Sequence, residues 1–167
     1  MQIIKSVTEK EVFEHWKKVE KMVSWPGKRT NIVSIFENYK DLIWYSGEIQ
    51  IDDLDNMFII SSNDWKIDGL CVPDFKLATA INNFICLPNK TAKHKDIKLK
   101  QSIFKSNLNG LDKTLIMVGP SKLGPFTIIE GNKRSVALGS LQKLVGLNIY
   151  LGISSNFCDY IWSKYSK

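Results

Sequence analysis

The segment Phe126–Leu138 constrains this chain more than any other, because an apolar run gives way there to a helical pattern across one Glu-Gly step. Phe126–Ile129 is predicted to be a strand, and Lys133–Leu144 a helix with apolar or small residues every three or four positions. A strand that turns sharply into a helix directs the first free N–H groups and the positive end of the helix dipole towards one point. Lys133 and Arg134 add two cations at that point. The sequence therefore predicts an anion-binding turn, and phosphate is the anion most often held in this way.

The size and composition of the chain are those of one globular domain. Its 167 residues are 44% hydrophobic and 24% charged, and a chain of this length buries roughly two-thirds of its unfolded surface. No apolar run reaches the ~18 residues that a membrane-spanning helix needs. Segment 1–10 is charged and does not resemble a signal peptide. We therefore expect a single domain over residues 1–167, a cytoplasmic location and no membrane partner.

The cysteines and histidines do not predict a metal centre. Three cysteines and two histidines are spread along the chain with no C-x-x-C pair, so the sequence predicts no zinc site of the usual ligand spacing. Free thiols in a reducing compartment are the expected state of Cys71, Cys86 and Cys158.

The net charge of +6 favours polyanionic or phosphorylated partners without naming one. Lysines are concentrated in Lys90–Lys105, which fits either a solvated helix face or a track for a nucleic-acid backbone. Trp65 lies in a polar segment and is the tryptophan expected to stack on a base or contact a partner.

Helical and strand patterns interleave along the chain, which predicts an α+β (mixed α/β) fold with a small mixed sheet and helices packed on it. A Thr8–Glu11 capping box is expected to open the first helical pattern, and residues 61–75 are predicted to be a loop. The predicted helices are 8–24, Leu77–Leu87, Lys133–Leu144 and Phe157–Tyr165, and the predicted strands are Asn31–Phe36, Leu42–Ile51, Met57–Ile60, Leu115–Val118, Phe126–Ile129 and Asn148–Ile153.

The turn resembles the ParB/sulfiredoxin-like fold. ParB proteins carry Gly-Glu-Arg-Arg there, sulfiredoxins carry Gly-Cys-His-Arg, and free serine kinases of the same fold carry an acidic-Gly-x-His-Arg turn; Glu130–Arg134 of this chain is Glu-Gly-Asn-Lys-Arg. A second segment, Gly47–Leu54, is similar to the opening strand of the family and the acidic-Leu turn after it. The resemblance implies a core at residues 42–155 with an insertion at about 61–113, preceded by a helix-and-strand extension at 1–41.

In that family the turn binds nucleotide phosphates, so the resemblance implies a nucleotide ligand, ATP, ADP or CTP, with Mg²⁺ as an accompanying ion. The neighbouring loop 119–125 is expected to add a third cation. The predicted phosphate-binding residues are Gly131, Asn132, Lys133, Arg134, Ser135 and Lys122.

Carboxylates are the candidates for acid/base or magnesium contacts. Glu130 ends the strand beside the turn, and it fits a general base, a Mg²⁺ ligand or a partner that orients Arg134. In the related kinases a glutamate near the first strand is the catalytic base, and the resemblance makes Glu48 or Asp52 its equivalent here.

Three residues of the turn also have structural interpretations. Arg134 fits a fork that grips phosphate or an ion pair with Glu130 or Asp112. Asn132 is expected to cap the helix in preference to contacting a ligand. Lys133 opposes the helix dipole, so a compensating anion is expected near it.

Two departures from the family limit the chemistry. Asn132 stands where sulfiredoxins place their catalytic cysteine, so thiol chemistry on a sulfinic acid is excluded. Lys133 stands where many relatives have histidine, and lysine binds phosphate well but carries protons poorly.

The leading hypothesis is a nucleotide-phosphate-binding protein with Mg²⁺-dependent phosphotransferase or nucleotide hydrolase activity. One alternative is a non-catalytic regulatory module, since small domains of this fold also occur beside toxin–antitoxin and phage-defence genes. Another is a DNA-binding protein or nuclease, favoured only by the positive charge and the lysine run.

Overall fold

The computed structural model describes residues 1–20, 41–87, 91–106 and 111–157. Over these ranges the chain has an α+β fold, as the sequence predicts: six strands form one mixed sheet, and helices pack on it. The strands are β1 (Gln2–Val7), β2 (Ile43–Glu48), β3 (Met57–Ile59), β4 (Leu115–Gly119), β5 (Phe126–Glu130) and β6 (Asn148–Ile153). The helices are α1 (Glu9–Glu20), α2 (Asn63–Ile67), α3 (Leu77–Cys86), α4 (Ala92–Lys105) and α5 (Asn132–Gly139), and a 3-10 helix spans Ile51–Asn56.

The strand order is β1-β2-β6-β4-β5-β3. The pairs β6–β4 and β5–β3 are parallel, and the other three pairs are antiparallel. Because β4 and β5 run in opposite directions, Glu130 at the end of β5 pairs with Ile116 near the start of β4. We call this end of the sheet the turn end. Loop 120–125, which joins β4 to β5, lies at the opposite end.

The sheet separates two apolar cores. Side chains of β4 alternate between its faces, as in any strand: Leu115 and Met117 lie in the larger core, and Ile116 and Val118 in the smaller one. Residues of α3, α4 and α5 fill the larger core, whereas Val12 of α1 enters the smaller one. Helices therefore approach the turn end from both faces of the sheet.

The N-terminal segment adds a strand that the sequence pattern did not predict. β1 pairs with β2 along its length, with an irregularity between Ile3 and Lys5. Ile4 is exposed. Because β1 lies at the edge of the sheet, its sequence lacks the alternation of apolar and polar residues by which a strand is usually predicted. The Thr8–Glu11 capping box is confirmed: the Thr8 N–H donates to Glu11 Oε2 at 2.6 Å, and the Glu11 N–H donates to Thr8 Oγ1 at 3.2 Å.

Helix α5 is shorter than the predicted Lys133–Leu144. The chain turns back after Gly139, where the N–H groups of Leu141 and Lys143 both bond to the Leu138 carbonyl at 3.0 Å. A Cβ on Gly139 would overlap Ile81 of α3. This small residue therefore permits close packing of α5 against α3.

Two further predictions change in the structure. Strand 42–51 ends at Glu48 and gives way to the 3-10 helix, and the predicted loop 61–75 contains α2. Residues 21–24 of the first helical pattern, the predicted strand Asn31–Phe36 and most of the predicted helix Phe157–Tyr165 lie outside the described residues.

Trp65 is not a surface platform for bases, because only 3% of it is exposed. Lys93 of α4 covers it, with Nζ 4.4 Å from the indole ring centroid. The same ammonium lies 3.0 Å from Asp64 Oδ2 and 2.9 Å from Asp68 Oδ2. At least this lysine of the basic run therefore joins two helices and is not available to a nucleic-acid backbone.

Among the helices in the described ranges, none combines the length and the apolar character needed to cross a membrane.

Candidate functional site

Gly131 forms the bend between β5 and α5. Its φ of 95° and ψ of 16° are left-handed, and it occupies the N-cap position of the helix. A Cβ at this position would lie 2.6 Å from Leu115 Cδ2, in addition to the strain that a left-handed backbone imposes on other residues. Conformation and close packing therefore both require glycine at this turn.

Asn132 and Ser135 hold the turn together. Asn132 is the first helical residue and not the cap, which corrects the capping prediction; its Oδ1 accepts the Ile60 N–H at 3.1 Å. Ser135 is completely buried, and its hydroxyl donates to the Asn132 carbonyl at 2.8 Å. The predicted phosphate contact from the Ser135 hydroxyl is therefore not accessible, and Asn132 has only its Nδ2 donor left for a ligand.

Arg134 is anchored at the turn end of the sheet. Its Nη1 donates to the Thr114 carbonyl, and its Nη2 lies 3.9 Å from Glu130 Oε1. The side chains of Arg134 and Glu130 are each 11% exposed. The structure thus contains the ion pair between Arg134 and Glu130 that the structural interpretation predicted. A guanidinium has five N–H donors, so these contacts leave donors for a ligand.

Lys133 has the compensating carboxylate that its position requires. Its Nζ lies 2.5 Å from Asp96 Oδ2 on α4, and the two side chains are 37% and 53% exposed. A pair this exposed contributes little to stability, so a phosphate with more charge than one carboxylate can replace Asp96.

Lys100 is a third cation at this place, and sequence reasoning did not single it out from the lysine run. α4 packs against α5 and brings Lys100 to the turn. Burial lowers the pKa of Lys100, and Arg134 and Lys133 lower it further. Within the described residues its ammonium makes no hydrogen bond or ion pair. The three cations thus face two carboxylates, Asp96 and Glu130, which leaves one positive charge in excess.

A histidine lies on the other side of Arg134. His15 of α1 has Nε2 3.3 Å from Asp112 Oδ2, and its ring meets Tyr150 of β6 edge-on with centroids 5.0 Å apart. Burial lowers the pKa of His15; Asp112 opposes this effect, whereas Arg134 and Lys18 add to it. Burial, with Glu11 and Asp112, raises the pKa of Tyr150. A neutral imidazole and a protonated phenol therefore lie beside the turn at neutral pH.

Sequence patterns offer little reason to select these groups. A single histidine on an amphipathic helix has no motif, and Asp112 was considered only as a partner for Arg134. Strand pairing brings them together: β6 places Tyr150 next to Ile116 of β4, and Asp112 lies just ahead of that strand.

The other predicted residues lie away from the turn. Glu48 is at the same end of the sheet, but β6 and β4 separate it from β5, so three strand spacings of roughly 4.8 Å place its backbone about 14 Å from that of Glu130. Asp52 is exposed on the 3-10 helix, and its neighbour Asp53 binds the Met1 amino group just ahead of β1, the edge strand four positions from β5. Lys122 is at the opposite end, with Nζ 4.5 Å from the ring centroid of Tyr45. The structure therefore brings neither acid to Glu130, and Lys122 is not the third cation.

The cysteines and possible metal ligands of the described ranges can be placed directly. Cys71 and Cys86 are free, and burial raises the pKa of Cys71 to about 12, which keeps it a thiol. No group of three or more His, Cys, Asp or Glu side chains in these ranges is arranged to hold a metal ion. Of the carboxylates that the structure describes, Glu130 is the one that belongs to the turn itself.

No family model, no curated protein and no solved structure matches this chain. The ParB/sulfiredoxin-like assignment therefore rests on the residues of the turn and stays a prediction.

Proposed function

We propose that the protein binds a nucleotide through its phosphates at the turn end of the sheet. The main support for this proposal is the positive charge at the turn end. Lys100, Lys133 and Arg134 converge there, and Lys100 makes no ion pair within the described residues. Like charges brought together and partly desolvated raise the free energy of the empty site. A bound phosphate removes that cost.

The three cations suit a phosphate chain better than a single carboxylate. The guanidinium of Arg134 is fixed by Thr114 and Glu130, and a fixed planar fork recognises phosphate oxygens directionally. Lys100 and Lys133 come from two helices and act as point charges. The first N–H groups of α5 add donors at the same place.

ATP, ADP and CTP are the ligands proposed, and Mg²⁺ would arrive with their phosphates. Mg²⁺ commonly uses one or two carboxylates together with phosphate oxygens and water, so Glu130 alone fits that role without a protein cage. The ion would neutralise phosphate charge. Phosphotransferase or hydrolase activity belongs to the same proposal, because phosphoryl transfer depends mainly on positioning and charge neutralisation. The proposal also places the protein in the cytoplasm, where free cysteines stay reduced.

The test is a titration with ATP, ADP, CTP and GTP, with and without Mg²⁺, followed by calorimetry and thermal shift. The decisive variant is Lys100→Gln, which removes the unpaired cation and leaves the anchoring contacts of Arg134 in place. We expect it to weaken binding about 10-fold, since a hydrogen bond to a charged group contributes roughly 1.5 kcal/mol or more.

Lys95→Gln is the matched control, because Lys95 is an exposed lysine of the same helix. Binding that is absent for every nucleotide, or equal losses in Lys95→Gln and Lys100→Gln, would contradict the proposal. Affinity for DNA that falls by about one log unit per log unit of salt for each phosphate neutralised would favour the nucleic-acid alternative. Nucleotide binding without turnover would favour a regulatory module.

A further inference from the structure

The His15–Asp112 pair is the part of the turn end that phosphate binding does not use. His15 comes from α1, Asp112 from the segment before β4, Tyr150 from β6 and Arg134 from α5. Four separate parts of the fold therefore converge on one imidazole. A histidine held by a carboxylate beside a cationic anion site is the arrangement of a proton acceptor in group-transfer enzymes.

We propose that His15 is the general base of a nucleoside-triphosphate hydrolase, activating a water that attacks the terminal phosphate held by Arg134 and Lys100. This inference rests on the proposed nucleotide binding and names the reaction at that site. Asp112 is a positioning residue in this scheme, because it acts only through the imidazole.

The contacts of the imidazole fix which nitrogen can accept a proton. With Nε2 3.3 Å from Asp112 Oδ2, the tautomer that carries its proton on Nε2 is favoured. The lone pair is then on Nδ1, which makes no hydrogen bond within the described residues. The edge-on contact with Tyr150 limits rotation of the ring.

The surroundings keep His15 neutral and place it near the phosphate site. Burial lowers its pKa, and the positive charges of Arg134 and Lys18 lower it further against the opposing effect of Asp112. Arg134 thus acts on His15 and on Lys100 alike.

Contacts link His15 and Arg134 as well. Asp112, 3.3 Å from His15 Nε2, accepts the Thr114 N–H through Oδ1 at 2.8 Å. The Thr114 carbonyl in turn accepts from Arg134 Nη1. A phosphate bound to this guanidinium would therefore lie close to the imidazole.

Glu130 is a weaker candidate for the base, although the sequence favours it. Its carboxylate is only 11% exposed and lies 3.9 Å from Arg134 Nη2, and the proposed function already assigns it to Mg²⁺.

The step balances without a further reactant. The water oxygen forms a bond to the terminal phosphorus as its proton moves to Nδ1 of His15. The bond from that phosphorus to the bridging oxygen breaks, and its electron pair leaves with the nucleoside diphosphate. The products are the diphosphate and inorganic phosphate, and His15 returns its proton to solvent.

The experiment measures phosphate release from ATP, with and without Mg²⁺, and ATP binding by thermal shift on the same samples. We expect His15→Gln to lower kcat about 100-fold or more, within the range of general base catalysis, while ATP binding persists. Asp112→Asn should lower kcat less and shift the pH–rate profile, because it alters the tautomer and basicity of the imidazole. His94 is the second histidine of the chain and lies on α4, so His94→Gln should retain wild-type turnover.

The pH–rate profile separates catalysis from a structural role. In the wild type, kcat/KM, which reports the free enzyme, should rise with pH on a limb whose midpoint lies below the usual histidine pKa, and this limb should be lost in His15→Gln. Asp112 is on the surface with a side chain 35% exposed, so Asp112→Asn tests the scheme even if His15→Gln does not fold. Turnover that survives in His15→Gln, or ATP binding by the wild type with no phosphate release, overturns the inference and leaves nucleotide binding intact. Absence of ATP binding overturns both proposals.

Discussion

The guanidinium of Arg134 has two roles that are usually separate. It closes the strand-to-helix bend through Thr114 and Glu130. Its positive charge also lowers the pKa of Lys100 and the pKa of His15. Removing it would disturb packing and charge together. Variants of its neighbours therefore separate the two effects better than variants of Arg134.

Gly131→Ala is expected to destabilise the fold by about 2–5 kcal/mol, the sum of a left-handed backbone penalty of roughly 1–2 kcal/mol and an overpacking cost of roughly 1–3 kcal/mol. The second contribution arises because the new Cβ would lie 2.6 Å from Leu115 Cδ2. Urea denaturation measures the change.

Gly146→Ala is the control, because Gly146 has φ of 79° and a Cβ added there would have no atom within 4 Å among the described residues. It should cost only the backbone penalty of about 1 kcal/mol. Equal losses in the two variants would show that close packing against Leu115 does not contribute.

At the scale of elements, α4 carries two lysines with different tasks. Lys93 is 6% exposed and bridges to Asp64 and Asp68 around α2. Lys100, two turns later, reaches the turn end without an ion pair in the described part of the chain. One helix therefore fastens the short α2 to the domain and delivers charge to the proposed site.

Lys93→Met should lower the free energy of unfolding by about 2–4 kcal/mol, since breaking a buried ion pair leaves its carboxylates uncompensated. Asp68 is the more affected partner, with a side chain 17% exposed. Chemical denaturation gives the loss, and tryptophan fluorescence should report Trp65 becoming more exposed to water.

Lys95→Met, at an exposed position of α4, should change stability by less than about 0.5 kcal/mol. The interpretation of Lys93 as a structural bridge fails if the Lys93 and Lys95 variants are equally stable.

At the scale of the whole molecule, both histidines make stability depend on pH. Burial lowers the pKa of His15 and of His94 from the ordinary value of 6.5. Below that value the unfolded chain binds protons that the folded chain does not. The free energy of unfolding should therefore fall as the pH drops through 6.5 towards the folded pKa values.

Urea denaturation at pH 7.5, 6.5 and 5.5 would show this decline, and His15→Gln with His94→Gln should flatten it. Carboxylates act in a lower range: the Thr8 backbone N–H lowers the pKa of Glu11 from 4.5, so its stabilisation is lost only as the pH falls below that value. Stability that increases between pH 7.5 and 5.5 would contradict the assignment of both histidines as partly buried and neutral.

Local features could be predicted from the residues alone: the bend at Gly131, the Thr8–Glu11 capping box and most helices and strands among the described residues. Each depends on residues a few positions apart, so apolar periodicity, caps and glycine report it directly. The exceptions depend on packing instead, since β1 is an exposed edge strand and α5 ends where Gly139 packs on Ile81 of α3.

Long-range packing, by contrast, sets which residues gather at the turn end. Lys100, His15 and Asp112 reach Arg134 because α4 packs on α5 and because β6 and β4 pair in parallel, and no local pattern encodes these long-range contacts. The same contacts bury Trp65 and Ser135 and leave Lys122 at the far end of the sheet. Charge and side-chain chemistry are properties of single residues, whereas a site depends on which strands lie side by side, and that is settled by packing of the whole core.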